Sequence, residues 1–296
     1  MTQSKTALFA ALAPVVFVLF WSTGFIGARF GLPYAEPFTF LFLRMVIVVV
    51  LLAGVAVLSG SRWPKNPRLI FHISVSGLLL HAGYLGGVFF AISRGMPAGL
   101  SALIVGLQPV LTAIFAQALL RERVEGRQWI GLALGFIGVG LVVGEKVLSA
   151  RISHIEPSAF VAIFFALLCT TFGTLYQKRF GGEMPLVSGT VIQYVAAGAG
   201  LGLAAVLFET MQVRWTGQFI FALAWLVLVL SVGAILLLMY LIRQSSASRV
   251  ASLFYLVPPA TAVEAYFLFG ERLGLMALIG MAVAVVGVAL VVSQRR

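Results

Sequence analysis

The sequence contains no aspartate. All nine of its acidic residues are glutamate, and charged residues make up only 10% of the 296. The missing aspartate excludes an aspartyl intramembrane protease, an Asp-rich glycosyltransferase motif and a Walker B aspartate. No Gly-x-x-x-x-Gly-Lys-Ser/Thr loop occurs either, so the chain does not hydrolyse ATP through a P-loop.

Residues that bind metals or form disulfides are equally scarce. The single cysteine, Cys169, excludes a disulfide framework. The histidines His72, His81 and His154 form no cluster of metal-ligand spacing, and no Gly-x-Ser-x-Gly elbow accompanies them. We therefore expect no metal and no cofactor, and we predict that the protein is not an enzyme.

Hydrophobic residues, in contrast, make up 61% of the chain. Apolar blocks of about 20 residues at this density are typical of membrane-spanning helices. The blocks cover residues 7–28, 37–58, 69–93, 97–119, 127–144, 157–179, 186–208, 217–242, 247–269 and 274–293. The sequence thus predicts an all-α integral membrane protein with ten transmembrane helices.

The chain also repeats itself. Residues 94–143 recur as residues 243–292, with about 19 of 50 aligned positions identical, well above chance. An offset of 149 residues sets Arg94 on Arg243 and Gly138 on Gly287. We infer a duplication, with residues 1–149 as the first copy (helices 1–5) and residues 150–296 as the second (helices 6–10).

Lysine and arginine indicate the orientation. With the N-terminus inside, inner segments carry about twice as many of them as outer loops, which places both termini in the cytoplasm. The net charge of +11 then faces anionic membrane lipids, and no soluble domain is left to bind nucleic acid. Five spans per copy is an odd number, so the second copy is inverted relative to the first. Inverted repeats support alternating access in secondary transporters.

The repeated motifs resemble the EamA-type transporters of the drug/metabolite transporter superfamily. The motifs are an arginine early in span 2 (Phe42-Leu43-Arg44), prolines in spans 4 and 9 (Gln108-Pro109 and Pro258-Pro259), and a glutamate after each of those two spans (Glu122 and Glu271). The resemblance implies ten helices, termini inside, and export of small metabolites such as amino acids. We expect the protein to lie in a bacterial-type inner membrane. It also implies a central cavity lined mainly by helices 1–4 and 6–9. The second copy departs from the pattern, with Gln193 in place of the arginine.

Ionisable residues inside spans are costly unless they are paired or hydrated, so they are candidates for function. Arg44 and Glu264 should both lie about 10 Å below the outer surface. We hypothesise that they pair directly or through substrate. In the alternative, Arg44 snorkels and Glu264 has another partner.

Other polar residues are candidates for the cavity wall. His81 and Tyr84 share a face of span 3, and Gln108 lies beside Pro109, which frees a backbone carbonyl. Each has a structural alternative, in which His81 bonds a neighbouring hydroxyl or carbonyl and the prolines only shape packing. The remaining candidates are polar or aromatic residues within spans: Thr170, Gln193, Trp21, Tyr240 and Tyr255.

Two repeated features have a structural interpretation. Glu122 and Glu271 each precede a helix and suit its positive N-terminal end. Small residues in spans 5 and 10 predict close helix packing, with a second protomer as an alternative partner. Pro109 and Pro258 are predicted hinges.

We predict a secondary transporter that exports a small metabolite, such as an aromatic or other hydrophobic amino acid. An importer or exchanger of a nucleobase or sugar derivative is one alternative. An intramembrane enzyme and a scaffold with a closed centre are the others.

Overall fold

In the computed structural model, every described element is a helix. The structure describes residues 2–120, 126–148, 155–234, 237, 241, 253–270 and 274–292. Within these ranges the nearest approach to a sheet is an isolated bridge between Ala35 and Val213. The prediction of an all-α membrane protein is confirmed.

The helices follow the predicted blocks. The α-helices are α1 (Thr2–Gly31), α2 (Pro37–Leu58), α3 (Pro67–Gly77), α4 (Tyr84–Ser93), α5 (Ala98–Val105), α6 (Gln108–Leu120), α7 (Gly126–Leu148), α8 (Pro157–Phe180), α9 (Leu186–Phe208), α10 (Gly217–Trp225), α11 (Val257–Phe269) and α12 (Leu275–Val292). The first π segment (Leu78–Gly83) joins α3 to α4, and the second (Leu226–Ala234) extends α10. A 3-10 turn (Phe254–Leu256) precedes α11.

Seven helical stretches in the described ranges are long and apolar enough to cross a membrane. They are Leu12–Gly31, Pro37–Leu58, Pro67–Ser93, Ala98–Phe115, Pro157–Phe180, Leu186–Phe208 and Gly217–Ala234. Shorter apolar helices, Trp129–Gly138 and Leu275–Gly287, coincide with the predicted fifth and tenth spans. The predicted ninth span is described only from residue 253 onward. The count of ten stays a prediction.

The chain forms two compact units. Unit one contains Met1–Ile26, Pro97–His154 and Leu228–Arg296, and unit two contains Gly27–Met96 and Ile155–Val227. Each unit takes segments from both sequence copies. The predicted boundary at residue 149 separates the two sequence copies, whereas the compact units mix both copies. The units therefore do not test that boundary.

In unit one, α7 packs against α12, which is its partner under the 149-residue offset. A methyl group on Gly138 would lie 2.4 Å from the carbonyl oxygen of Gly280. On the other helix, a methyl group on Gly287 would lie 2.5 Å from the carbonyl oxygen of Gly131. The two contacts are reciprocal, because Gly138 aligns with Gly287 and Gly131 with Gly280. Only glycine permits so close an approach of the two backbones.

In unit two, α2 packs against α9, and these helices are also partners under the offset. The carboxylate of Glu209, after α9, accepts hydrogen bonds from the backbone N–H groups of Phe38 and Thr39 at 2.7 Å each. At the other end, Ser188 Oγ in α9 donates to the carbonyl of Arg62, in the loop after α2, at 2.6 Å. Thr39 and Ser188 align in the repeat, so each helix start is tied to the loop that follows its partner.

Departures from regular helix also recur at matching positions. The first π segment, Leu78–Gly83, aligns with residues 227–232, which lie inside the second π segment. A turn at Gly106 and Leu107 separates α5 from α6, and it aligns with the 3-10 turn before α11. Pro109 and Pro258 each lie one residue after the start of α6 and α11. The interruptions before α6 and α11 thus lie where the sequence predicts them, because proline lacks the N–H that would continue the bonding pattern. The two π segments were not predicted.

The glycine contact predicts opposite effects from two neighbouring substitutions. Gly138→Ala should lower the melting temperature of the purified protein in detergent, because overpacking against a backbone costs about 1–3 kcal/mol. Gly140, two residues on, would meet nothing within 4 Å. Gly140→Ala should therefore leave the melting temperature unchanged or raise it, since alanine favours helix by about 1 kcal/mol. Equal melting temperatures for the two variants would contradict the packing described here.

Candidate functional site

Unit two, which is described throughout, contains a cluster of polar side chains in its interior. The cluster consists of Arg44 from α2, Ser76 from α3, His81 from the first π segment, Tyr84 from α4, Gln177 from α8, and Gln193 and Tyr194 from α9. Arg44 is 3% exposed and Gln193 is 4% exposed, so the centre of the cluster is buried. Four of the predicted site residues, Arg44, His81, Tyr84 and Gln193, therefore lie in one place.

Gln193 is the hydrogen-bonding centre of this polar cluster. Its amide nitrogen Nε2 donates to Ser76 Oγ at 3.0 Å and to Gln177 Oε1 at 3.1 Å. Its side chain also interacts with His81 through a hydrogen bond. A methyl group on Gly77 would lie 2.5 Å from the backbone of Gln193, so α3 and α9 are in close contact at this level.

Aromatic and cationic groups complete the cluster. The rings of His81 and Tyr194 stack with centroids 4.4 Å apart and planes 23° from parallel. The guanidinium of Arg44 lies near the hydroxyl groups of Tyr84 and Tyr194 and near the imidazole of His81. Arg44 and Gln193 align in the repeat, and both lie near His81.

The backbone explains why His81 reaches this position. It lies in the first π segment, whose wider turn displaces side chains from the face that a regular helix would give them. The segment contacts α8, where a methyl group on Gly83 would lie 2.6 Å from Cys169 Sγ. A π segment is often found at functional sites because it places one side chain out of helical register.

The arrangement suits a small molecule that carries a negative charge and hydrogen-bonding groups. Arg44 supplies a fixed cation with planar donors, and the tyrosines, His81 and Gln193 supply neutral donors and acceptors. The glutamates of unit two all lie at helix ends or in loops: Glu36, Glu156, Glu183 and Glu209. The cluster therefore has no carboxylate of its own from unit two.

Unit two also contains an open apolar pocket of about 240 Å³. Ala82 and Gly83 of the first π segment line it, next to His81 in sequence, together with Phe38, Gly86, Gly87, Phe90, Ala162 and Phe165. The pocket has room for a small apolar group, and none of the residues of the polar cluster lines it.

Unit one contains a second polar contact, between α1 and α11. Ser22 Oγ donates to Glu264 Oε1 at 2.6 Å, and Thr261 Oγ1 donates to the carbonyl of Ser22 at 3.3 Å. Trp21 is half-buried and packs edge-on against Phe254, with centroids 4.9 Å apart. Trp21 thus lies in an aromatic contact between α1 and the 3-10 turn before α11.

The other predicted residues are more scattered. Thr170 is buried in α8, where its carbonyl accepts a hydrogen bond from Thr174, and Gln108 is half-buried at the start of α6. Tyr255 belongs to the 3-10 turn, where the structure describes its backbone and not its side chain. Three predicted residues fall outside the described residues altogether: Tyr240, Glu122 and Glu271. Arg44 and Glu264 belong to different units, so their pairing stays a prediction.

Sequence reasoning missed Tyr194, Ser76 and Ser22 as site residues. Tyr194 directly follows Gln193, and Ser22 directly follows Trp21, so both stand beside residues that were singled out. Ser76 is five residues before His81, which a regular helix would place on another face. In the described parts of the chain, no group of three His, Cys or Glu residues could hold a metal ion.

The sequence is similar to known membrane transporters over nearly its whole length. It matches the EamA-like transporter family over residues 7–144 and again over residues 157–293. An uncharacterised inner membrane transporter of Escherichia coli K12, YedA, is 27% identical over 96% of this chain and 90% of its own length. An uncharacterised transporter of Bacillus subtilis 168, YvbV, is 27% identical over 99% of this chain and 93% of its own length. A probable amino-acid metabolite efflux pump of Salmonella typhimurium LT2 is 27% identical over 91% of this chain and 90% of its own length.

A solved crystal structure shares the fold. Its chain is 20% identical and superposes with a TM-score of 0.68, covering 94% of each chain. At this identity the likeness bears on the fold alone.

The hydrogen bond between Gln193 and Ser76 predicts a measurable coupling. Gln193→Leu and Ser76→Ala should each lower the free energy of unfolding, and the double variant should lose about 1 kcal/mol less than the sum. Ser74 is the matched control, because its hydroxyl donates to the Ile70 carbonyl of its own helix at 2.9 Å. The losses in free energy of unfolding from Ser74→Ala and Gln193→Leu should add. Thermal or denaturant unfolding in detergent measures both double-mutant cycles, Gln193 with Ser76 and Gln193 with Ser74. Additivity in both cycles would show that the Gln193–Ser76 bond carries no energy.

Proposed function

Since the chain belongs to the EamA-like transporter family, we propose that it is a secondary transporter that exports small metabolites, amino acids among them, by alternating access. Membership of the family confirms the resemblance read from the motifs, and it identifies the chain as a transporter, not an enzyme.

We propose that residues 1–149 and 150–296 form two inverted copies with five spans each. Reciprocal contacts between repeat partners support this arrangement. Gly138 and Gly287 make the contacts between α7 and α12. Thr39 and Ser188, at the starts of α2 and α9, make the hydrogen bonds between each of those helices and the loop that follows its partner. Two segments that meet their own repeat partner reciprocally are what a two-fold axis produces.

The polar cluster of unit two is the proposed site of substrate recognition. One observation carries this proposal: the repeat partners Arg44 and Gln193 are both buried in the cluster in which His81 stacks on Tyr194. A carboxylate would bind near Arg44 through charge-assisted hydrogen bonds. The stacked rings of His81 and Tyr194 suit an apolar or aromatic side chain on the same molecule.

The choice of amino acids, and of export over import, has two supports. The motif resemblance implies both, and one relative is named a probable amino-acid metabolite efflux pump. An inner-membrane location is supported in the same way by the name of the Escherichia coli relative. The excess of Lys and Arg in alternate loops supports cytoplasmic termini.

The driving force is proposed to be a substrate gradient or proton exchange. Glu264 is the one glutamate within the ten spans predicted from the sequence, and His81 is the other titratable candidate. The interruptions before α6 and α11, at Pro109 and Pro258, are the proposed points of bending between states.

Counterflow in proteoliposomes tests the function. Vesicles that contain the purified protein and an unlabelled amino acid should take up the same labelled amino acid transiently above equilibrium. Arg44→Gln should slow this uptake by at least about tenfold, because the variant loses one charge-assisted hydrogen bond to the substrate. Nucleobases and sugars are tested in parallel, and uptake of those alone would contradict the proposed substrate class.

A second arm of the counterflow experiment tests proton coupling. An imposed proton gradient should accelerate transport by the unmodified protein, whereas Glu264→Gln should retain counterflow and lose the acceleration. The matched control is Glu183→Gln, which neutralises an exposed loop glutamate. Equal gradient effects in Glu264→Gln and the unmodified protein would exclude coupling through this residue.

A further inference from the structure

The hydroxyl group of Ser22 lies between two hydrogen-bond acceptors. Ser22 Oγ is 2.6 Å from Glu264 Oε1 and 2.9 Å from the backbone carbonyl oxygen of Leu19. A serine hydroxyl has one proton to donate, whereas a carbonyl and a carboxylate can only accept. Ser22 can therefore satisfy only one of these two acceptors, unless the carboxyl group of Glu264 carries a proton.

The second oxygen of Glu264 has the same shortage of donors. Glu264 Oε2 is buried, and it has no hydrogen-bond partner among the residues that the structure describes. An ionised carboxylate removed from water needs donors on both oxygens. A protonated carboxyl group needs chiefly one acceptor for its own O–H, and Ser22 Oγ lies within hydrogen-bond distance to serve as that acceptor.

The charges around the pair also favour a proton. Within the described part of unit one, α5, α11 and α12 contain no Lys, Arg or His. The cations of α1 are Lys5 and Arg29, about 10 Å or more from Ser22 along the helix. The titratable residue of α11 nearest to Glu264 in sequence is Tyr266, which is 51% exposed. No cation from these elements compensates a negative charge on Glu264.

We propose that Ser22 and Glu264 together form a proton-binding site, and that the proton is bound in this conformation. Glu264 carries the proton on Oε1 and donates it to Ser22 Oγ, while the Ser22 hydroxyl donates to the Leu19 carbonyl. On release, the proton passes to water, and the Ser22 hydroxyl turns from Leu19 to the new carboxylate. Ser22 is thus a positioning residue for the proton. The inference rests on the proposed function only in naming this proton as the coupling ion.

Infrared difference spectroscopy on the full-length protein in lipid vesicles tests the proton site directly. Spectra recorded at neutral and at alkaline pH should show a protonated carboxyl C=O band that disappears at alkaline pH. The band should be absent in Glu264→Gln, shifted in frequency in Ser22→Ala, and unchanged in Ser74→Ala, whose hydroxyl bonds its own helix. Ser22→Cys keeps a side chain of similar size, but its thiol is a weaker hydrogen-bond partner than a hydroxyl, so the band should shift by an intermediate amount. This variant keeps the test available if Ser22→Ala does not fold.

Two results would overturn the proton site. One is a neutral-pH spectrum with no carboxyl band that depends on Glu264, and the other is an unshifted band in both Ser22 variants. The proposed proton coupling is tested separately, by transport. If the band behaves as expected while a proton gradient leaves transport unchanged, the proton site stands and the proposed coupling is wrong.

Discussion

Backbone amide and carbonyl groups inside a hydrocarbon layer have no water to bond, so each needs a partner within the protein. Regular helices meet this requirement along most of the described spans. The exceptions are the two π segments, the turn at Gly106 and Leu107, and the 3-10 turn Phe254–Leu256. Interruptions of this kind persist where neighbouring groups satisfy the displaced backbone. The candidate polar residues lie at or near them, with His81 inside the first π segment and Glu264 about two turns beyond the 3-10 turn.

The duplication links these interruptions to each other. Each one in the first copy aligns with one in the second, and repeat partners meet in both compact units, as α7 with α12 and α2 with α9. The two copies have nevertheless diverged in chemistry. Arg44 aligns with Gln193 and His81 with Leu230, so the cation and the imidazole of the cluster both come from the first copy. Unlike polar groups at aligned positions are compatible with the proposed binding of one substrate and its exchange for a proton.

The sequence predicted the helical class and the interruptions at Pro109 and Pro258, because apolar length and the missing proline N–H act locally. Buried Arg44 and Gln193 could be singled out because polar residues are costly in a span. The π segments could not be predicted, since they depend on packing such as Gly83 against Cys169. Ser22 was missed for the same kind of reason: its partner, Glu264, is 242 residues away in sequence, and no local pattern joins them.

Accessibility of the polar cluster from each side of the membrane tests the central claim of alternating access most directly. Cys169 is the only cysteine, so Cys169→Ala provides a background without thiols. In that background, Tyr84→Cys should react with a membrane-impermeant thiol reagent in right-side-out and in inverted vesicles, and an imposed amino-acid gradient should shift the ratio of the two rates. Reaction from one side only, with or without the gradient, would contradict the account.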